Sequence, residues 1–406
     1  MDRKTIKALL KDHPQEKMLF LAGPRQVGKT TFSKKSLESY DNNGIYLNWD
    51  ILKDRKNIRK GDDFFQPLLR EGALPRIILD EIHKMSRFKG WLKGFYDQYR
   101  DDFNIWVTGS GRLDLYQKGG DSLLGRYFLY RMHPLSVGEF ENPINNEQKW
   151  LPENCWKNFL DGKFSERENF NALYKFGGFP EPFLRQEESF LIRWQNTRKN
   201  RILKEDIRDL TRIQEVDRVE HLVELLNPRV ASPLSLNSLK DDLEVAFETV
   251  KNWVKTLERL YYIWGISPFS TKIQRGLRKE RKIYFWDWSE IIEESKKFEN
   301  FVLSHFNKSV HFWNDSGAGR FSLHYIRDKE KNEADVLIAK DRIPWLIAEV
   351  KMSDTQVSGN LVKFMKQTQC KKALQIVFTP GIHKKVKIDG FEIHVVSADR
   401  VFKYFS

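Results

Sequence analysis

The feature that most constrains this chain is Gly23-Pro24-Arg25-Gln26-Val27-Gly28-Lys29-Thr30, a complete G-x-x-x-x-G-K-[ST] run placed directly after the apolar segment Met18-Leu19-Phe20-Leu21-Ala22. A buried strand, this loop and a following helical pattern together read as a phosphate loop. The spacing has a chemical reason. Gly23 and Gly28 let successive backbone N–H groups turn toward phosphates, Lys29 reaches the β/γ oxygens, and the Thr30 hydroxyl ligates Mg²⁺. Gly23 through Thr31 are therefore expected to line a bound nucleoside triphosphate, with ATP and Mg²⁺ as the cofactors.

A partner motif follows about 50 residues on, in the distance range such loops require. Arg76-Ile77-Ile78-Leu79-Asp80-Glu81 is an apolar strand ending in two acids. Asp80 is placed to hold the Mg²⁺ water shell, and Glu81 to orient or deprotonate an attacking water. A third strand, Asn104-Ile105-Trp106-Val107-Thr108, leads into Gly109-Ser110-Gly111. Thr108 and Ser110 stand where a γ-phosphate sensor would lie, although a plain Ser/Gly turn explains the same residues equally well. Up to about residue 140, strands alternate with amphipathic helices, the α/β pattern of a parallel sheet covered on both faces.

Composition sets the outer limits. The chain has 406 residues, enough for two to three domains with real cores, and 40% hydrophobic with 31% charged residues is a globular balance. The sequence contains no run of 18 apolar residues. Its start, Met1-Asp2-Arg3-Lys4, lacks the apolar segment of a secretion signal, so a cytoplasmic protein without a membrane partner is expected. Cys155 and Cys370 are too few for a disulfide framework or a zinc site. The formal net charge of +13 exceeds what nucleotide phosphates ask for and favours a polyanionic partner, DNA above all, over an acidic protein.

Helical spacing returns at Val216, Val219, Leu222, Val223 and Leu226 until Pro228 stops it. Ser235 can cap a second short helix running through Leu243, and Val250, Trp253, Val254, Leu257 and Leu260 mark the buried face of a third. This is helix-turn-helix spacing. The segment Tyr261–Phe269, followed by Lys272, Arg275, Arg278, Lys279, Arg281 and Lys282, reads as a basic wing. On the third helix Lys251, Asn252, Lys255 and Arg259 lie on the polar side, where they would meet phosphates or base edges; a winged helix also serves simply as a packing module.

A second constellation sits near the C-terminus. Asp335 lies in Asn332-Glu333-Ala334-Asp335-Val336-Leu337-Ile338, and 14 residues later Ile347-Ala348-Glu349-Val350-Lys351 follows. Strand alternation puts Glu349 and Lys351 on one face. Asp335, Glu349 and the Val350 carbonyl would then hold Mg²⁺ while Lys351 orients water and stabilises transition-state charge. An E-x-K alone is common on exposed strands; the ordered Asp, hairpin and Glu-x-Lys make a restriction-like nuclease signature. Glu299, on the helix around Phe298-Glu299-Asn300, matches the position where nucleases of this fold often place another acid, a supporting metal ligand.

Taken together, Gly23 to Thr31, Ile77 to Glu81, Val107 to Ser110, Ser122-Leu123-Leu124-Gly125-Arg126, His133-Pro134-Leu135-Ser136-Val137-Gly138-Glu139-Phe140 and Gly177-Gly178-Phe179-Pro180-Glu181 resemble a known family. It is that of prokaryotic AAA+ ATPases with a winged helix and a C-terminal PD-(D/E)xK restriction-endonuclease-like domain. The resemblance implies an ATPase core over 1–145, a helical lid with an insertion over 146–211, a winged helix and basic wing over 212–282, and a nuclease-like α/β domain over 283–406. It also implies self-association into a ring, expected to be a hexamer, in which Arg126 completes a neighbour's site, and it sets the Gly-x-Pro at Gly178 near the adenine; a helix-start turn explains that motif as well. The role of the polar stretch 141–170 is not legible. The expected function is an ATP-hydrolysing DNA-binding motor coupled to a Mg²⁺-dependent endonuclease, acting on branched DNA such as forks or Holliday junctions. The alternative is a regulatory ATPase switch that binds a protein partner, with an inactive nuclease-like scaffold.

Overall fold

Short runs of residues buried on both faces cannot show one side to water, so they settle inside a parallel sheet. In the computed structural model of the chain, β1 (Met18–Ala22), β3 (Arg76–Asp80) and β4 (Asn104–Gly109) do so between the less buried edge strands β2 (Gly44–Asn48) and β5 (Tyr127–Arg131), with every neighbouring pair parallel in the order β2-β3-β4-β1-β5. All five β1 residues are buried. The described residues are 3–38, 44–69, 74–109, 123–141, 150–162, 167–207, 216–270 and 280–405. They fall into two units, Met1–His133 with Arg259–Tyr261, and Pro134–Glu258 with Tyr262–Ser406.

In the first unit β1 stands between β4 and β5, so its C-terminal end is where the chain changes direction across the sheet and where α/β proteins place their ligands. The helix Lys29–Glu38 starts there. One side of the sheet is filled by Phe20, Leu79 and Val107 together with Phe65, Phe95 and Tyr99.

The second unit holds an eight-stranded sheet, β12-β13-β11-β10-β9-β8-β6-β7. Its strands are β6 (Ile263–Pro268), β7 (Lys282–Phe285), β8 (Phe321–Arg327), β9 (Glu333–Lys340), β10 (Ile343–Lys351), β11 (Ala373–Val377), β12 (His383–Ile388) and β13 (Phe391–Ser397). β8, β9 and β10 form an antiparallel meander, whereas β10, β11 and β13 run parallel. The three helices expected from spacing are Val216–Leu226, Leu236–Leu243 and Phe247–Arg259, and the Ser235 hydroxyl accepts from the Ser238 N–H as an N-cap should. Pro228 falls in a short 3₁₀ turn after the first of them.

The 22-residue helix Glu294–Asp315 is buried on most of its surface and organises this unit. The buried Lys308 ammonium pairs with Glu139 at 2.5 Å and donates to Ser136 Oγ at 2.7 Å and Pro134 O at 3.2 Å. One turn earlier, His305 Nε2 accepts from the Val137 N–H at 3.3 Å while Nδ1 meets Phe301 O at 2.8 Å. That arrangement requires the neutral ring, and burial supplies it by pushing the His305 pKa down to about 3. The run Pro134 to Phe140, conspicuous in the sequence, is thus in large part a socket for Lys308 and His305. Gly178 serves the same socket: a Cβ there would come within 2.5 Å of Trp288 Cη2 and 2.7 Å of Pro134 Cβ, and its carbonyl accepts from the Leu135 N–H at 2.7 Å. Pro180 begins the helix Pro180–Arg185, the helix-start role.

The stretch that was not legible contains the helix Pro152–Asp161, which buries Cys155 and Phe159. Glu153 on it accepts from Trp345 Nε1 at 2.8 Å and Lys372 at 2.7 Å, and the Trp150 carbonyl accepts from Trp313 Nε1 at 2.7 Å.

Removing one partner of a buried, hydrogen-bonded ion pair leaves the other uncompensated, at a cost of about 3–5 kcal/mol. Glu139→Ala is expected to lower the unfolding free energy in urea by roughly 3 kcal/mol, and a Glu139→Leu/Lys308→Met double substitution to recover much of it. A loss for Glu139→Ala no larger than that of an ordinary surface substitution would show that the pair does not hold this unit together.

Candidate nucleotide site and carboxylate cluster

The loop after β1 has the shape its sequence requires. A Cβ on Gly23 (φ +155°) would lie 2.3 Å from Met132 O, so only glycine fits there. Val27 is buried, Arg25 and Gly28 are half-buried, and Gln26, Thr30 and Thr31 are exposed. The Lys29 ammonium is buried inside the loop and donates to Gly23 O at 2.8 Å and Pro24 O at 2.7 Å. A buried cation inside a glycine-built cradle is the donor set that a polyphosphate needs, and it fits the expected nucleotide.

Asp80, at the end of β3, ties the loop to the sheet. Its Oδ2 accepts from Thr30 Oγ1 at 2.8 Å and from Tyr46 Oη on β2, and its Oδ1 accepts from Thr108 Oγ1 on β4. Thr30 and Asp80, the two residues expected from the sequence to hold Mg²⁺, are thus brought within hydrogen-bond distance of each other. Tyr46 was not anticipated; it stands on β2 opposite Ile78, its phenol is half-buried, and burial followed by the Asp80 carboxylate drives its pKa well above the usual tyrosine value. It therefore stays a donor. Asn48 Nδ2 completes the chain by donating to Tyr46 Oη at 3.2 Å.

Glu81 occupies the left-handed region (φ 56°), sparsely populated for a non-glycine residue and concentrated at functional sites. Its backbone N–H donates to Thr108 O at 2.9 Å, and its carboxylate lies 3.3 Å from Lys84 Nζ and 3.5 Å from His83 Nε2. Ser110, the other proposed sensor residue, lies outside the described residues.

Arg126 immediately precedes β5, whose first residue Tyr127 is in register with Met18. It therefore sits at the sheet edge opposite the phosphate loop, about five strand residues or ~16 Å away. Its guanidinium pairs with Asp97 through Nε at 2.7 Å and Nη2 at 3.0 Å, which raises the Arg126 pKa and lowers that of Asp97. Arg126 does not reach its own loop from this place.

In the second unit, Glu349 and Lys351 do share a face of β10, 2.7 Å apart. Asp335 on β9 accepts from the Val350 N–H at 2.9 Å, so the hairpin brings the Asp and Glu-x-Lys elements side by side. Burial, then the Asp335 charge, raises the Glu349 pKa to about 7. Glu349 Oε2 is buried without a hydrogen-bond partner. Glu299 reaches this cluster from the helix Glu294–Asp315, accepting from Tyr284 Oη at 2.9 Å. A cleft of about 230 Å³ opens beside it, lined by Ser232, Lys296, Glu299, Lys351 and Met352 among others.

Lys282 departs from its expected place among the wing cations. It is 2% exposed, with Nζ 3.1 Å from Glu299, 2.5 Å from Glu333 and 3.6 Å from Asp335. Burial opposes its charge, but the charges of Glu299, Asp335 and Glu333 outweigh that and hold its pKa above the usual lysine value. The sequence missed it because one lysine in a basic run looks solvated; its position at the start of β7, where a strand enters the sheet, was the available signal. Among the described residues no group of three His, Cys, Asp or Glu side chains converges to hold a metal ion. Asp335 and Glu349 remain side by side, with Glu299 engaged by Lys282.

On the helix Phe247–Arg259, Asn252, Lys255 and Arg259 are exposed, and the half-buried Lys251 pairs with Glu248 at 2.9 Å. Arg281 pairs with Glu258 at 2.8 Å. Lys272, Arg275, Arg278 and Lys279 lie outside the described residues.

Residues 15–141 match the family model of an AAA domain, and residues 167–290 match a domain of unknown function (DUF8612). The first match and the phosphate-loop geometry agree on an AAA domain within residues 15–141. Two relatives from Methanocaldococcus jannaschii are similar over much of the chain. Uncharacterized protein MJ1544 is 24% identical over 79% of this chain and 72% of its own length, and uncharacterized protein MJ1637 is 24% identical over 68% and 61%. The chain thus spans under two thirds of the second relative. Among solved structures, a Thermotoga maritima RuvB variant aligns at 16% identity over 64% of this chain and 85% of its own, with a TM-score of 0.28. C. elegans PCH-2 aligns at 18% identity over 43% and 54%, with a TM-score of 0.24. Among the described residues no helix is long and apolar enough to cross a membrane.

Tyr46→Phe removes one donor to Asp80 while keeping the ring. It is expected to lower kcat for ATP by about tenfold, the value of one charge-assisted hydrogen bond, with little change in nucleotide affinity. An unchanged kcat would reduce Tyr46 to a packing residue. Lys29→Ala is expected to lose nucleotide binding together with turnover, measured by equilibrium binding of a fluorescent ATP analogue.

Proposed function

We propose that the chain is an ATP-hydrolysing motor that works on DNA, with its nucleotide cycle in residues 1–145 and its DNA-engaging surfaces in the winged helix and the nuclease-like domain beyond. The observation that carries the ATPase reading is the network joining Thr30, Tyr46 and Thr108 to Asp80, beside the buried Lys29. Thr30 and Asp80 would hold Mg²⁺, which supplies charge neutralisation on the transferred phosphoryl group. Gly23 to Thr31 bind and orient the phosphates, Lys29 neutralises them, and Glu81 takes the proton of the attacking water. Arg126, set at the opposite edge of the sheet, acts on a neighbour's site in a ring, taken to be a hexamer; its Asp97 partner would then be exchanged for phosphate on assembly.

DNA engagement rests on three helices followed by the β6–β7 hairpin, with Asn252, Lys255 and Arg259 exposed on one face, Lys251 beside them, and a net charge of +13 on the chain. The wing cations Lys272, Arg275, Arg278 and Lys279, outside the described residues, are assigned to DNA contact from the sequence alone. Several duplex arms held by one assembly would favour forks or four-way junctions through multivalency. A second reading has its own observation behind it. Lys282 engages Glu299, Glu333 and Asp335, which supports a C-terminal domain of PD-(D/E)xK type that grips DNA or a protein partner without cutting.

Removing one cation that neutralises a DNA phosphate lowers the slope of log K against log[salt] by about 0.9 for duplex DNA. Lys255→Ala/Arg259→Ala is expected to weaken binding to duplexes of any sequence and to flatten that slope by about two. The same affinity and slope as wild type would remove this helix from the DNA surface. Incubation of wild type with four-way and linear DNA, Mg²⁺ or Mn²⁺ and ATP separates the two readings: strand scission lost in Glu349→Ala means cutting, and junction-selective binding without scission means gripping.

A further inference from the structure

Three acids surround one ammonium at the β9–β10 hairpin, Glu333 and Asp335 on β9 and Glu299 from the long helix, and Glu349 on β10 lies near enough to feel the Asp335 charge, although their oxygens do not converge on one metal position. Such a group would ordinarily repel itself or gather a divalent ion. Here the charge is met from within. Lys282 Nζ lies 2.5 to 3.6 Å from Glu333, Glu299 and Asp335, and its ammonium also stands 5.4 Å from the centre of the Tyr325 ring. The remaining oxygens are largely assigned to protein donors: Tyr284 Oη donates to Glu299, the Val350 N–H to Asp335, and Lys351 pairs with Glu349. Arg327 stands 3.6 Å from Glu333. The site Mg²⁺ would need, with several oxygens converging at about 2.1 Å, does not fit a cluster whose helix-borne acid is taken by a buried ammonium.

We infer that Lys282 is the resident cation of this carboxylate cluster, standing where a divalent ion would otherwise bind and keeping the domain free of metal. The inference rests on the non-cutting reading above and gives it a physical cause. Lys282 is fixed in place by its strand: β7 pairs antiparallel with β6, Lys282 opposite Ile266, so the side chain enters the cluster from the edge of the sheet and is 2% exposed. A second cation placed beside it would face like-charge repulsion in a poorly solvated space, where such interactions are strongest. Glu349 Oε2, an oxygen of the cluster, is buried with no hydrogen-bond partner. It is the atom a metal would claim once the ammonium is gone.

The experiment is a Mn²⁺ titration of the full chain without nucleotide or DNA, read by loss of the free-ion electron paramagnetic resonance signal. Wild type and Asp335→Asn are expected to give the same weak binding at millimolar metal. Lys282→Gln is expected to gain one site at least about tenfold tighter, as removal of an adjacent like charge allows, and Lys282→Gln/Asp335→Asn to lose it again. Lys282→Arg, which keeps the cation, is expected to behave as wild type. A Mn²⁺ site in wild type that disappears in Asp335→Asn would overturn the inference, as would a folded Lys282→Gln that binds no better than wild type. If Lys282→Gln does not fold, the comparison of wild type with Asp335→Asn still decides. Because neither ATP nor DNA is present, failure here is separate from failure of the motor or of DNA binding.

Discussion

The carboxylate of Asp80 is the point through which the first unit becomes more than a sheet. Its two oxygens take hydroxyl donors from the phosphate-loop helix, from β2 and from β4, so the loop, β3 and both strands beside β3 share one hydrogen-bonded node. Charge-assisted hydrogen bonds of this kind are about twice as strong as neutral ones and hold geometry well. Thr30 and Asp80 are consequently positioned as a pair. Glu81 follows at once in a left-handed turn that carries its carboxylate past the end of the strand toward Lys84 and His83. A change at any of the three donors acts on this node before it acts on the sheet core.

The second unit uses the same physics with the charges exchanged. Two buried ammonium groups, Lys308 and Lys282, each organise a polar pocket around themselves. Lys308 joins the long central helix to the run Pro134 to Glu139, and Lys282 joins β7 to β9 and to that same helix. Buried ions are costly unless every partner is in place, so they define one arrangement of the elements around them. The core near them is aromatic: Trp288 donates to Leu173 O at 2.8 Å and packs edge-on to Phe301 at 5.2 Å.

Much of the first unit was legible because its chemistry is local. Gly23 to Thr30 and Ile77 to Glu81 are contiguous, and their spacing fixes the strands that carry them. The helices from Val216 to Arg259 were legible through periodicity and the Ser235 cap. Tyr46 was not, because a tyrosine at the centre of a strand reads as packing; only the pairing of β2 with β3, which sets Tyr46 opposite Ile78 and diagonal to Asp80, lets its phenol reach the carboxylate. Lys282 and Lys308 escaped for the same reason. Their partners lie 17 and 169 residues away along the chain, and apart from the place of Lys282 at a strand start nothing local marks either lysine as buried. The run Glu141 to Phe170 was opaque because its anchors, Trp150 and Glu153, are fixed by Trp313, Trp345 and Lys372 far downstream.

The most direct measurement is release of phosphate from Mg·ATP by the purified chain, wild type against Glu81→Gln, with retained nucleotide assayed in parallel. Removing a general base lowers turnover by about 10²–10⁴-fold, so the variant is predicted to keep ATP bound and to fall by that factor. Turnover by Glu81→Gln at the wild-type rate, or a wild type that binds ATP and never hydrolyses it, would contradict the account.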